Sequence, residues 1–289
     1  MRQVTVIGLG IMGGGIAANL LKSGVPLVVN TRTQSKAQSL VEQGARWADT
    51  PALAAAGSDV VISVVGNDTD SRAVWTGESG ALAGLAAGAI AVERSTLSLG
   101  WVRELRGLVE ARGAKLVDAP LTGSKDAAQA GKLTVLVGAT PEMLERLRPI
   151  LSGYASTIVH LGPPGSGAAY KLINNMVVAV QIAAAGEALA LAERLGLDLA
   201  IAGPTLASGA AGSPSLKGKM AAMLAHNHSD QHFALRWMSK DVAYAMRAAE
   251  EAGIILPVTE VTRAQYERAM AAGSADLDFS AIAEVPRAP

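Results

Sequence analysis

Cysteine is absent from the 289-residue chain. Disulfides, thiolate nucleophiles and the usual thiolate zinc sites are therefore excluded. An excess of charge is missing too: 25 basic and 25 acidic residues balance to a formal net charge of zero. A neutral chain offers no electrostatic footprint for DNA, RNA or an acidic membrane surface, so neither nucleic acid nor membrane is expected as a partner. Charged residues make up only 17% of the sequence. An uninterrupted apolar run is lacking as well. The longest apolar stretch is broken by Asn174, Asn175, Gln181 and Glu187, which reads as a buried helix and not a membrane span. The opening "MRQVTVIGLG" runs straight into a strand pattern with no signal or transit pattern before it. A soluble, cytoplasmic protein is the expectation.

What remains is apolar: half of the residues are hydrophobic, and the length suits two domains with sizeable cores. In the first part, short β-branched runs alternate with helical patterns. Strands are expected at 4–8, 26–31, 59–65, 89–93, 115–120, 133–138 and 156–162, with helices at 13–23, 34–43, 98–112 and 141–151. Several strands are apolar on both faces, as in a mostly parallel sheet covered by helices. That alternation predicts a doubly wound α/β domain over 1–162. After the turn "GPPGSG" no strand pattern returns, and helices are expected at 166–195, 199–208, 216–225, 234–252 and 257–272. The first of these would be about 45 Å long, a spine leading into an all-α domain over 163–289.

The clearest motif is "VTVIGLGIMGGGIAANLLKSG". A strand feeds Gly8-Leu9-Gly10-Ile11-Met12-Gly13, and a helix follows. Gly8 permits the turn, Gly10 lets a pyrophosphate approach the backbone, and Gly13 lets the helix pack on the strand; the helix N-terminus faces the phosphates. The next strand ends in "VVNTRTQSK", with no Asp or Glu for the ribose hydroxyls of NAD. Arg32, Thr33 and Lys36 suit a 2′-phosphate instead, which favours NADP (NADPH) over NAD; alternatively Arg32 and Lys36 are solvated charges at a helix start. Asn30, Val64 and Val65, at strand ends, are further candidates for cofactor contact. "ERSTLS" puts Ser95 and Thr96 at the carboxyl end of another strand, where ligands bind in such folds. In "DAPLTGSKDAAQAGKLTVLVGA", Thr122, Gly123 and Ser124 offer hydroxyl and N–H donors to a carboxylate. Turn chemistry and helix capping account for both segments equally well.

Lys171, Asn174 and Asn175 stand at i, i+3 and i+4 of the long helix, on one face. An ammonium there can protonate a carbonyl oxygen as hydride reaches its carbon, with the amides orienting it; a lysine snorkelling at a helix start is the alternative. "HNHSDQH" groups His226, His228 and His232, but no carboxylate arrangement supports them, and no metal is expected.

With these motifs in hand, the chain resembles the β-hydroxyacid dehydrogenase family over nearly its whole length. The resemblance rests on "GLGIMGGGIAANL", "STLS", "DAPLTGS…AGKLTVLVG", "GSGAAYKLINN" and "FALRWMSKDVAYA", in the family's order and spacing. It implies an NADP-binding Rossmann domain, an all-helical C-terminal domain and a homo-oligomer, dimer or tetramer. It also implies a catalytic lysine, which maps to Lys171. The substrate-carboxylate loop maps to Thr122, Gly123 and Ser124, and the substrate-contacting asparagine to Asn175, with Asn174 beside it. The second lysine, near the nicotinamide with Thr96, maps to Lys240; Asp241 and Phe233 map to the substrate pocket. Leu121-Thr122-Gly123-Ser124 departs from the common Val-Ser-Gly-Gly. Its Gly-Ser-Lys ending looks like the glyoxylate/succinic semialdehyde reductase branch, whose "NRT" signature is matched by Arg32 but not by Thr31. The resemblance thus implies NADPH-dependent reduction of a small carboxylated aldehyde (glyoxylate, succinic semialdehyde or tartronate semialdehyde) to a hydroxyacid. An NAD-dependent 3-hydroxyisobutyrate-type dehydrogenase is one rival. A non-catalytic nucleotide-sensing scaffold is another.

Overall fold

Among the described residues, nine strands form one sheet in the N-terminal part of the chain. The computed structural model describes residues 3–287, and its contacts divide the chain into two units at Lys171/Leu172. The strands are β1 (Val4–Ile7), β2 (Leu27–Asn30), β3 (Arg46–Trp47), β4 (Val60–Ser63), β5 (Ile90–Glu93), β6 (Lys115–Asp118), β7 (Leu121–Thr122), β8 (Leu133–Gly138) and β9 (Ala155–Gly162). Their order is β3-β2-β1-β4-β5-β6-β8-β7, with β9 also paired to β8. From β3 to β6 every pairing is parallel; β8 then runs antiparallel to β6 and β7. This is the doubly wound Rossmann arrangement expected from the alternating pattern. The strands β1 and β4, mostly apolar, are buried along their whole length, as covered parallel strands must be.

Register puts Asn30, Ile7, Ser63, Glu93 and Asp118 in one row across the sheet, each the last residue of its strand. The loops that leave this row carry most of the candidate site. They are stiffened by capping: Asn67, Ser98, Ser124 and Thr140 each accept an amide of the helix they precede, a contact worth roughly 1 kcal/mol apiece. Elements that the pattern did not reveal are small. They are the two-residue strands β3 and β7 and the helices Pro51–Ala55, Asp68–Thr76, Ala81–Gly84 and Lys125–Gln129, none reaching three turns, too short for a period to register.

Among the described residues, the named elements of the second unit are helices, with one isolated antiparallel bridge between Ala234 and Asp278. The helix Ser166–Arg194 is followed by Leu199–Ser208, Pro214–Leu224, Leu235–Glu251 and Pro257–Ala269. A 3-10 segment, Phe279–Arg287, closes the chain and was not expected from the sequence. Among the described residues, Ser166–Arg194 alone is long and apolar enough to cross a membrane. Here Ala179, Ile182, Ala183 and Leu189 are buried against Leu216, Met238 and Ile282. Gly186 lies where a Cβ would meet Ala283 at 2.6 Å, so the closing segment packs directly on the helix backbone.

Candidate active site

The glycine turn shows which glycines the fold itself needs. Gly8 has φ +94°, and a Cβ there would strike the carbonyl of Val64. A Cβ at Gly13 would strike the carbonyl of Gly8. Gly10 is different: a Cβ would meet no heavy atom within 4 Å, and its φ of −72° suits any residue. Nothing in the fold itself therefore requires glycine at this position, and the open space leaves room for a ligand to approach the backbone. Gly10 caps the helix Ile11–Lys22 without any side-chain hydrogen bond. Gly10 and Ile11 are exposed, Met12 half-buried and Leu9 buried. An open helix N-terminus with a bare backbone fits a dinucleotide pyrophosphate.

Beside it, Asn30 is buried and donates to Ala48 O at 2.8 Å, while its carbonyl accepts from Gly8 N at 2.9 Å. Its side chain thus holds the strand end. Arg32 is 90% exposed and pairs with Asp70 Oδ1 at 3.2 Å; Thr33 and Lys36 are exposed. Val64 and Val65 are half-buried, and Val65 N–H is committed to Ser95 Oγ at 2.8 Å. That bond ties the β4 and β5 loops together, with Thr96 half-buried at the next position.

Sequence reasoning passed over the residues beneath this edge. Buried Glu93 accepts from Ser71 Oγ, Trp75 Nε1 and Ser95 N, at 2.8, 2.8 and 2.9 Å. Arg94 is also buried; it donates to Ala119 O at 2.8 Å and lies 4.5 Å over the Tyr154 ring. Burial pushes its guanidinium down to about 9, against the pull of Glu93. The pattern "ER" at a strand end was the available signal.

On β7, Thr122 pairs with Thr134. Gly123 follows at φ +138°, where a Cβ would crowd Leu133 at 2.9 Å. Exposed Ser124 caps the short helix through Oγ, which accepts from Ala127 N at 3.2 Å. An accepting hydroxyl keeps its own proton free to donate. Lys171 sits on the second turn of Ser166–Arg194, half-buried. The start of that helix is held by Asp118, which the sequence analysis did not single out: its Oδ1 accepts from Gly165 N at 2.5 Å and its Oδ2 from Ala168 N at 2.8 Å.

In the second unit, four candidates form one chain of contacts. Asn174 Nδ2 donates to Asn175 Oδ1 at 3.1 Å, and Asn175 Nδ2 donates to Asp241 Oδ2 at 2.6 Å. Lys240 Nζ lies 3.0 Å from Asp241 Oδ1, outside hydrogen-bond alignment. Asp241 is fully buried, so its carboxylate is turned to Asn175 and Lys240 and away from solvent. Phe233 is half-buried and packs edge-to-face on Phe279 at 6.1 Å. Its N–H and that of His232 point to Asp278 Oδ2, which also pairs with Lys219 at 2.7 Å. The histidines serve other ends. His226 and His228 both bond Glu284, at 2.9 and 3.0 Å, and His232 faces Asp230. Among the described residues no group of three or more His, Asp or Glu side chains could hold a metal ion.

Residues 3–162 match the family described as the NAD binding domain of 6-phosphogluconate dehydrogenase. Residues 165–285 match that described as NAD-binding of NADP-dependent 3-hydroxyisobutyrate dehydrogenase. The NAD-dependent L-serine dehydrogenase of Pseudomonas aeruginosa is 32% identical over 98% of this chain and 97% of its own. The chloroplastic glyoxylate/succinic semialdehyde reductase 2 of Arabidopsis thaliana is 30% identical over 99% of this chain and 80% of its own. Among solved structures, the 3-hydroxyisobutyrate dehydrogenase of Mycobacterium tuberculosis with L-serine superposes with a TM-score of 0.89 at 30% identity, covering 100% of both chains. A scaffold without chemistry is thereby set aside: the chain belongs to the β-hydroxyacid dehydrogenase family of NAD(P)-dependent oxidoreductases.

Proposed function

We propose that this enzyme reduces small aldehydes bearing a carboxylate, such as glyoxylate, succinic semialdehyde or tartronate semialdehyde, to hydroxyacids. NADPH is the preferred reductant and Lys171 the proton donor. The observation that carries the reading is Lys171 itself: the one charged residue of its helix before Glu187, with Asn174 and Asn175 one turn on along the same face. Bound NADPH supplies the hydride. The chain's own residues do the rest. As negative charge grows on the carbonyl oxygen, the Lys171 ammonium donates a proton to it, a general-acid contribution of about 10²–10⁴-fold. Thr122, Gly123 and Ser124 hold the carboxylate with N–H and hydroxyl donors, and Asn175 orients the substrate with Asp241 behind it. Phe233 lines the apolar side. Gly8 to Gly13 receive the pyrophosphate. Arg32, with Thr33 and Lys36, reads the 2′-phosphate, while Asn30, Val64, Val65, Thr96 and Lys240 flank the cofactor.

The Gly-Ser-Lys ending and the plant relative's name support the aldehyde-acid class. Kinetics of glyoxylate against acetaldehyde with NADPH test it. A donor loop left unpaired should reject acetaldehyde strongly; comparable kcat/KM for the two would overturn the carboxylate loop.

A second reading is NAD-dependent oxidation of a 3-hydroxyisobutyrate-type acid. One observation favours it: Arg32 is 90% exposed and already engaged by Asp70. Equal kcat/KM with NADH and NADPH would select it.

Residues 1–162 serve as the nucleotide domain and 163–289 as the substrate and association domain of a cytoplasmic homo-oligomer. Support comes from exposed apolar residues on the long helix, Ile173, Val177 and Leu191, and Leu195 just past its end. The nearby Leu197 opens, with Ile201 and Leu206, an apolar depression of about 560 Å³. Contiguous exposed apolar surface of this kind marks association.

A further inference from the structure

The helix that carries Lys171 begins without a cap of its own. It follows Gly162-Pro-Pro-Gly165, in which no side chain can accept a hydrogen bond. Its first turn is nonetheless buried at Gly167 and Ala168, and orphaned N–H groups in a buried first turn are strongly unfavourable. The acceptor comes from the sheet, 47 and 50 residues upstream: Asp118, the last residue of β6, takes Gly165 N on one oxygen and Ala168 N on the other.

The surroundings are shaped for that contact. A Cβ at Gly138, the partner of Asp118 across β6 and β8, would lie 2.5–2.6 Å from the carboxylate oxygens. A Cβ at Gly167 would strike the carbonyl of Leu136 and come within 3.0 Å of the carbonyl of Asp118. Two glycines thus clear the space in which one carboxylate and one helix turn meet backbone to backbone. Burial pushes the carboxyl above the usual range, and the N–H groups of Gly165, Ala168 and Gly167 pull it back. Three residues after Ala168, on the same face, comes Lys171. Four residues after Asp118 comes Thr122, where the donor loop begins.

We propose that Asp118 is a positioning residue for the reaction: its carboxylate fixes the first turn of the helix that bears Lys171 one turn further on, and so sets that lysine relative to the 122–124 loop that follows the same strand. It touches neither substrate nor cofactor. The inference rests on Lys171 being the proton donor. Removing a carboxylate that merely stabilised the fold would lower stability without acting through Lys171.

A double-variant cycle separates the two. Asp118→Asn, Lys171→Ala and the double variant are compared in steady-state reduction of glyoxylate by NADPH, with NADPH titration and thermal unfolding on each. Asp118→Asn should lower kcat by about tenfold or more, since small misplacement of a catalytic group is expensive, while NADPH affinity stays within about twofold. With the ammonium gone, the same substitution should lower kcat by less than about twofold further. If the losses multiply in the double variant, or if Asp118→Asn keeps wild-type kcat, the positioning role is overturned alone. If Lys171→Ala itself turns over within about threefold of wild type, the proton-donor reading falls and the inference with it. Should Asp118→Asn not fold, Asp118→Ser, which still offers one acceptor, enters the same cycle with the same expected outcome.

Discussion

Asn175 Nδ2 donates to Asp241 Oδ2 at 2.6 Å, joining two positions 66 residues apart in the sequence. The asparagine's other end accepts from Asn174, so its amide plane is fixed from both sides. A carboxylate acceptor makes the bond charge-assisted, and its full burial removes competition from water. We predict that Asp241→Ala, which removes the acceptor of the buried Asn175 amide and the carboxylate beside Lys240, lowers stability by about 3–5 kcal/mol in urea unfolding. Asp241→Asn, which keeps the shape, should lose only about 1–2 kcal/mol. Its main effect should be a raised KM for the aldehyde. Unchanged KM in a folded Asp241→Asn enzyme would show that Asn175 does not need this partner to meet substrate.

Gly10 and Gly13 should fail in opposite ways. Gly10→Ala leaves the chain's packing untouched, so its unfolding midpoint should stay within about 0.5 kcal/mol of wild type. NADPH affinity should nevertheless fall about tenfold or more, because the new methyl stands where the pyrophosphate must approach. Gly13→Ala drives a methyl into the Gly8 carbonyl and should lower stability by about 1–3 kcal/mol. Thermal melts in the absence of cofactor, followed by titration, separate the two. A stable Gly10→Ala enzyme with wild-type affinity would count against dinucleotide binding at this turn.

Cofactor choice is testable at the Arg32–Asp70 pair. Arg32→Ala should weaken NADPH binding by about 1.5–3 kcal/mol and barely change NADH. Asp70→Asn releases Arg32 from an exposed ion pair worth about 0–1 kcal/mol and should tighten NADPH binding up to about fivefold. Equal effects of Arg32→Ala on both cofactors would remove Arg32 from the 2′-phosphate site.

Acid should loosen the second unit at Asp278. Burial works to raise this carboxyl, but Lys219 and Ser280 outweigh it and hold it below the usual range. Glu284 is held low in the same way by His228 and His226. Groups with depressed folded values contribute stability that is complete above the ordinary carboxylate pKa of about 4 and is lost as pH falls through the folded value. Lys219→Met should therefore lower stability at neutral pH and narrow the gap between neutral and acid unfolding midpoints. An unchanged gap would mean that the Lys219–Asp278 pair does not govern acid sensitivity.

Long periodic segments were legible from sequence. The strands that became β1, β2, β4, β5 and β6 and the helix Ser166–Arg194 appear within a few residues of the bounds their patterns suggest. Residues whose chemistry announces itself, a GxGxxG turn or a lysine in an apolar helix, could be picked out as candidates. What stayed hidden depends on contacts between distant residues. Asp118 looks like an ordinary strand-end acid until Gly165 and Ala168 are brought to it. Glu93 and Arg94 look like exposed loop charges and are in fact buried. The 3-10 segment Phe279–Arg287 has no period of its own and is shaped by the groove in which Ala283 meets Gly186.

The packing around Asp118 ties the mutational freedom of three positions together. Any side chain at Gly138 would displace the carboxylate, any at Gly167 would lift the helix from the strands, and any shorter acid surrogate at 118 would leave an amide unanswered. Substitutions tried one at a time will therefore look intolerable at each, while combined changes can compensate one another. Among enzymes diverging from this one, the three sites should evolve as a block, and a library that randomises them jointly samples routes closed to single steps.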